Sequence, residues 1–141
     1  FERTYRIMSN LDDMHENGIH DYMKFIKFGY GRASDHASKD IRSGYMSRNQ
    51  GIDIVKKYDH VKPCRDLDRW LEYVGMSENE FDQIADNFRD PRVWWIESGQ
   101  WYKHNVWGGP SAYGPVHLTD RKRVREFEDN AHCMKNAIPK K

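Results

Sequence analysis

Five stops, at Gly29, Gly44, Pro63, Gly75 and Pro91, cut residues 19–91 of this sequence into short segments, and no other feature limits its fold so tightly. Between the stops, apolar residues recur with a helical period that a strand does not satisfy. Ile19, Tyr22, Met23 and Ile26 mark a first helix that Gly29 ends as a left-handed cap. Ala33, Ala37 and Ile41 give a second helix a narrow stripe, with Ser34 or Asp35 as its N-cap and Gly44 as its end. Ser47 and Gln50 form a capping box that opens a third helix, which Gly51 weakens and whose buried face is Ile52, Val55 and Tyr58. Leu67, Trp70, Leu71 and Val74 predict a fourth helix, N-capped by Asp66 and stopped by Gly75. For the fifth, Ser77 and Glu80 make another capping box, Met76 and Phe81 a hydrophobic staple, and Phe81, Ile84, Ala85 and Phe88 the inward face.

Past Pro91 the pattern changes. VWWIESGQWYKHNVW carries β-favouring residues on both sides of Ser98-Gly99 and predicts a short hairpin. GGPSAYGP reads as a Gly/Pro loop, a candidate flap or linker. A last helix begins near Thr119 or Asp120, with Val124, Phe127, Ala131 and Met134 as its stripe; Arg121, Lys122, Arg123 and Arg125 crowd its start, against the helix dipole. The expected architecture is mainly α: a small helical domain of about five or six helices with a short β-hairpin after the fifth. Its segments are a connector (1–18), a helical domain (19–90), an aromatic hairpin (91–107), a Gly/Pro loop (108–118) and a C-terminal helix and tail (119–141).

Only 38% of the residues are apolar, so the core is thin and the five Trp, eight Tyr and six Phe must supply much of the burial. Such a domain is expected to lean on a partner. Trp94, Trp95, Trp101 and Trp107 suit closure of a small core or an interdomain face, and alternatively stacking on a sugar or nucleobase. A formal net charge of +1 argues against whole-molecule attraction to nucleic acid or anionic membrane, so any anion site must be local. The fifth helix, ENEFDQIADNF, is acidic where a DNA reader needs cations. No run approaches the roughly 18 apolar residues of a membrane span. Cys64 and Cys133 stand far apart, and the first residues lack a signal-peptide core; a cytoplasmic location is expected. The start at Phe1 suggests part of a longer protein.

Chemistry-bearing residues concentrate in HDYMKFIKFGYGRASDHASKDIRSGYMSR, residues 20–48. Gly29 and Gly31 precede a helix start, where backbone amides can face an anion and Arg32 can add charge; the same spacing also serves an ordinary interhelical turn. His20, Lys24 and Lys27 share one face of the first helix, and Asp35, Lys39 and Arg42 one face of the second. Asp35 with Lys39 is the structural alternative, an i, i+4 ion pair. Asp12, Asp13, His15 and Glu16 match no established metal-ligand spacing and read as a solvated connector, and His132-Cys133 reads as structural; no metal site is expected.

HDYMKFIKFGYGRASDHASKDIRSGYMSRNQGIDIVKKYD resembles the C-terminal part of the N-acetyl sugar amidotransferases, PP-loop ATPase-related enzymes of bacterial surface-polysaccharide and nonulosonic-acid biosynthesis. The likeness continues through DLDRWLEYVGMSENEF and NFRDPRVWW. It implies that a PP-loop domain activates the acetamido carbonyl of a sugar with ATP and Mg, and that ammonia from a glutaminase partner converts it to an acetamidino group. The family's SGG-x-DS loop and cysteine pairs are absent here, so the resemblance implies a C-terminal region carrying part of the substrate site, with no ATP expected on this chain alone. It points to Lys27, Arg32, Asp35, Asp40, Arg42 and Arg48 as residues for an anionic or nucleotide-linked amino sugar, while the catalytic residues stay unassigned. Arginine's planar fork suits a carboxylate or diphosphate, and a nearby Asp can orient it. The alternative is a non-catalytic helical module that docks onto the PP-loop domain or the glutaminase.

Overall fold

A computed structural model describes residues 17–136. Among them it contains seven helices, α1 (Asn17–Phe28), α2 (Arg32–Arg42), α3 (Arg48–Tyr58), α4 (Cys64–Val74), α5 (Glu78–Asp86), α6 (Arg121–Asp129) and α7 (Ala131–Asn136). Three strands, β1 (Trp95–Glu97), β2 (Gln100–His104) and β3 (Pro110–Pro115), lie between α5 and α6. The fold is mainly α with a small antiparallel sheet after the fifth helix, and the expected breaks separate its helices. The described chain groups into two compact units, 17–26 with 30–78, and 27–29 with 79–136.

In the first unit, Phe25, Ile26, Ala33, Ala37, Leu67 and Leu71 are buried. Gly75 closes α4 in the left-handed conformation at φ 71°, as its position predicts. The Ser47–Gln50 capping box is complete: Gln50 N donates to Ser47 Oγ at 3.2 Å, and Ser47 N to Gln50 Oε1 at 2.9 Å. Gly51 does more than weaken its helix, because it is the buried residue of α3 and gives Ile41 of α2 room to approach. Two expected caps are corrected. Gly31, not Ser34 or Asp35, is the N-cap of α2. Helix α4 starts at Cys64 behind Pro63, whose ring already holds a near-helical φ of −80°, so Asp66 falls in the first turn and not at the cap.

In the second unit, Trp94, Trp95 and Trp101 are fully buried, which makes them core and removes them as a ligand platform. Trp101 meets Phe127 edge to face at 4.9 Å, and Trp94 meets Tyr113 at 5.8 Å. Strands β1 and β2 pair through Ile96↔Trp101, joined at Ser98 (φ 50°) and Gly99 (φ 72°), the two positive φ values of a tight hairpin turn. The reading of 108–118 as a loop is corrected, since Pro110–Pro115 pairs antiparallel with β2 as a third strand. Proline fits there because β3 is an edge strand, where a missing N–H leaves no ladder bond unmade. The last helix is also interrupted: α6 begins at the Asp120 cap as expected but ends at Asn130, and α7 follows.

The inward face of α5 differs too. Phe81 and Ala85 are buried, but Ile84 and Phe88 are exposed, and Asp86 is buried in their place. Asp86 turns inward to accept from Arg89 Nε at 2.9 Å, Trp101 Nε1 at 3.0 Å and the His117 amide at 2.6 Å. Arg89 lies over both rings of the pair, 4.3 Å from Trp94 and 4.7 Å from Trp101. Removing either partner would leave an uncompensated buried charge, so the inward Asp86 and Arg89 depend on each other, and Arg89 Nη1 still lacks a hydrogen-bond partner among the described residues.

Candidate functional site

The glycine turn between α1 and α2 does face an anion, and the anion is internal. Gly29 takes φ 81° to leave α1, and Gly31 starts α2 with no side-chain cap of its own. The missing cap comes from the end of α3. Asp59, only 5% exposed, accepts from Gly31 N at 3.0 Å, from Ser34 N at 3.1 Å and from Ser34 Oγ. A carboxylate at a helix N-terminus satisfies otherwise orphaned amides and sits at the positive end of the helix dipole.

Arg32 is likewise engaged. Its Nε donates to Asp21 Oδ2 at 2.7 Å, and Asp21 on α1 is 2% exposed, with Oδ1 lacking a hydrogen-bond partner among the described residues. Asp35 pairs with Lys24 of α1, not with the i, i+4 Lys39. Lys24 Nζ also lies 5.0 Å from the centroid of the Tyr30 ring. These contacts tie α1, α2 and the end of α3 together through charge.

The six expected site residues have different surroundings. Arg32 and Asp35 serve internal pairs, Asp40 is half-buried, and the exposed Lys27 places Nζ 5.0 Å from the centroid of the Phe88 ring. Arg42 and Arg48 are exposed at the two ends of the α2–α3 turn, and among the described residues no ion pair engages either. The polar cluster at Asp12, Asp13, His15 and Glu16 lies outside the described residues. In the second unit, hydrogen bonds from the Arg92 side chain and backbone hold the Asp90 carboxyl below its ordinary range.

Asp21 and Asp59 are the participants that periodicity misses. Asp21 precedes Phe25 by one helical turn and is buried as Phe25 is, and a buried carboxylate requires a cation or hydrogen-bond donors. Asp59 looks like a helix stop until the uncapped glycine start of α2 is set beside it.

Among the described residues no helix is long and apolar enough to cross a membrane, and no three His, Cys, Asp or Glu side chains assemble as a metal cluster. What emerges is a small mainly α domain whose charged motif is largely closed on itself, with an antiparallel sheet appended. The chain belongs to the family described as "LPS biosynthesis protein WbpG-like, C-terminal domain", whose model matches residues 2–106. That match covers well over half of the sequence and ends just beyond β2. No curated protein and no solved structure matches the chain.

Proposed function

We propose that the chain is the substrate-binding C-terminal region of an ATP-dependent N-acetyl sugar amidotransferase of lipopolysaccharide or surface-glycan biosynthesis, the enzyme class that converts an acetamido to an acetamidino group. Membership in an LPS-biosynthesis family supports the setting. The observation that carries the binding role is the pair of exposed guanidinium groups, Arg42 and Arg48, left outward by a motif whose other charges are mostly committed. In this reading Arg42 and Arg48 hold the anionic part of the amino sugar. Arg32, paired with the buried Asp21, and Asp35, paired with Lys24, hold α2 against α1, while Asp40 shapes the margin.

The glycine turn does not fit a nucleotide phosphate, because its amides already hold Asp59. ATP and Mg accordingly belong to a PP-loop domain in this proposal, and ammonia to a glutaminase partner. The test is the affinity of the complete enzyme, with its ammonia-supplying partner, for the sugar. A charge-assisted bond of roughly 1.5–3 kcal/mol makes Arg42→Ala and Arg48→Ala each weaken binding by about 10- to 100-fold at unchanged thermal stability. Unchanged affinity in both variants refutes the binding role. A second reading, a docking module for the PP-loop domain or glutaminase, draws on the exposed Ile84 of α5 and on Phe88 in the turn that follows it. It predicts that charge-introducing substitutions there release a partner without altering sugar affinity.

A further inference from the structure

The turn between Arg42 and Arg48 carries an aromatic residue that the charged motif does not explain. Tyr45 is 84% exposed, and its backbone is held on both sides. Gly44 N donates to Ile41 O at 3.1 Å and Tyr45 N to Asp40 O at 2.9 Å, closing α2, and the Ser47 capping box then fixes the start of α3. Gly44 reverses the chain at φ 78° with nothing within 4 Å of the place a Cβ would take. A rigid turn thus displays a large ring in water with an exposed arginine three residues to either side. Presentation on a fixed backbone lowers the ordering cost of binding.

We infer that Tyr45 is a stacking platform for the pyranose ring of an anionic glycosyl ligand whose phosphate or carboxylate is gripped by Arg42 and Arg48; this rests on the substrate-binding reading above and adds its ring contact. The apolar C–H face of a sugar packs on one aromatic ring, and the planar guanidinium fork matches an oxyanion. The surroundings favour such a ligand over a protein. Ser43, Ser47, Asn49 and Gln50 are exposed and polar, and Tyr45 is the one exposed large apolar side chain between residues 31 and 72. A protein interface needs about 800 Å² on each side with an apolar centre, whereas a sugar needs one ring and a few polar groups.

The test is calorimetric titration of the complete protein with N-acetylglucosamine 1-phosphate and with glucuronic acid; inorganic phosphate and the neutral methyl N-acetylglucosaminide are the controls. Tyr45→Ala is expected to weaken the anionic sugar about tenfold, and Tyr45→Phe to stay within about twofold of the parent, both with the parent's thermal midpoint. The two anionic sugars report which oxyanion is preferred. Tyr45→Ala binding as tightly as the parent overturns the inference, as does inorganic phosphate binding as tightly as the sugar phosphate. If Arg42→Ala and Arg48→Ala weaken the sugar while Tyr45→Ala does not, the platform fails and the substrate-binding reading stands. If none of the three changes matters, both fall. Release of a protein partner by Tyr45→Ala at unchanged sugar affinity overturns it in favour of a protein contact.

Discussion

Asp59 serves three donors from two residues of a helix to which it does not belong, so one carboxylate holds both the start of α2 and the end of α3. Replacing it with alanine strands the Gly31 and Ser34 amides. Asp59→Ala is expected to cost about 2–3 kcal/mol, and Asp59→Asn less because an amide oxygen still accepts, as read by urea unfolding. A loss below about 0.5 kcal/mol would show that water replaces the carboxylate without penalty. Sequence reasoning offers two readings of this turn, an anion-facing helix start and an ordinary interhelical turn. The choice is hidden for a physical reason: a helix start with no cap of its own advertises a need for negative charge, and the advertisement is the same whether a substrate or a distant aspartate answers it. Only the fold, by returning the end of α3 to the start of α2, decides between them.

At the scale of elements, two helical glycines make opposite demands. A Cβ on Gly18 of α1 would come 2.8 Å from Cβ of Pro63, a stiff ring that is itself buried, and would also meet Asp66 Oδ2. One on Gly51 of α3 would come 2.6 Å from Cδ1 of Ile41, the movable end of a half-buried side chain. Gly18→Ala is therefore expected to destabilise by about 1–3 kcal/mol, while Gly51→Ala stays near neutral because relief of the glycine's helix penalty of about 1 kcal/mol offsets the displaced methyl. Thermal midpoints of the two variants check this, and a larger drop for Gly51→Ala reverses the argument. The helices were legible because their stops and periodicity are local properties of the chain. Strand β3 was not: six residues with a proline at each end and Gly114 inside have little strand propensity, and the strand exists because β2 offers a free ladder. The outward turn of Ile84 and Phe88 was hidden for a similar reason, since the partners of Asp86 come from Arg89, Trp101 and His117, the last thirty-one residues away.

For the whole molecule, the family match and the packing end in different places. The match stops at residue 106, yet Phe127 packs on Trp101 and the His117 amide completes the shell of Asp86. The second unit therefore needs residues beyond the match to finish its core. A chain ending at Val106 is expected to expose Trp101 and leave a buried carboxylate short of a donor, with red-shifted tryptophan fluorescence and loss of near-ultraviolet dichroism. Unchanged spectra would mean that β1 and β2 hold their tryptophans without help. The small sheet has one more consequence, for how this protein meets others. Prolines stand at both ends of β3, and β1 is only three residues long, so each edge strand offers an extended peptide a short run of amides at most. Recruitment by strand addition, with the uncontrolled stacking that accompanies it, is thereby suppressed, and recognition is left to the side chains of its helices and turns.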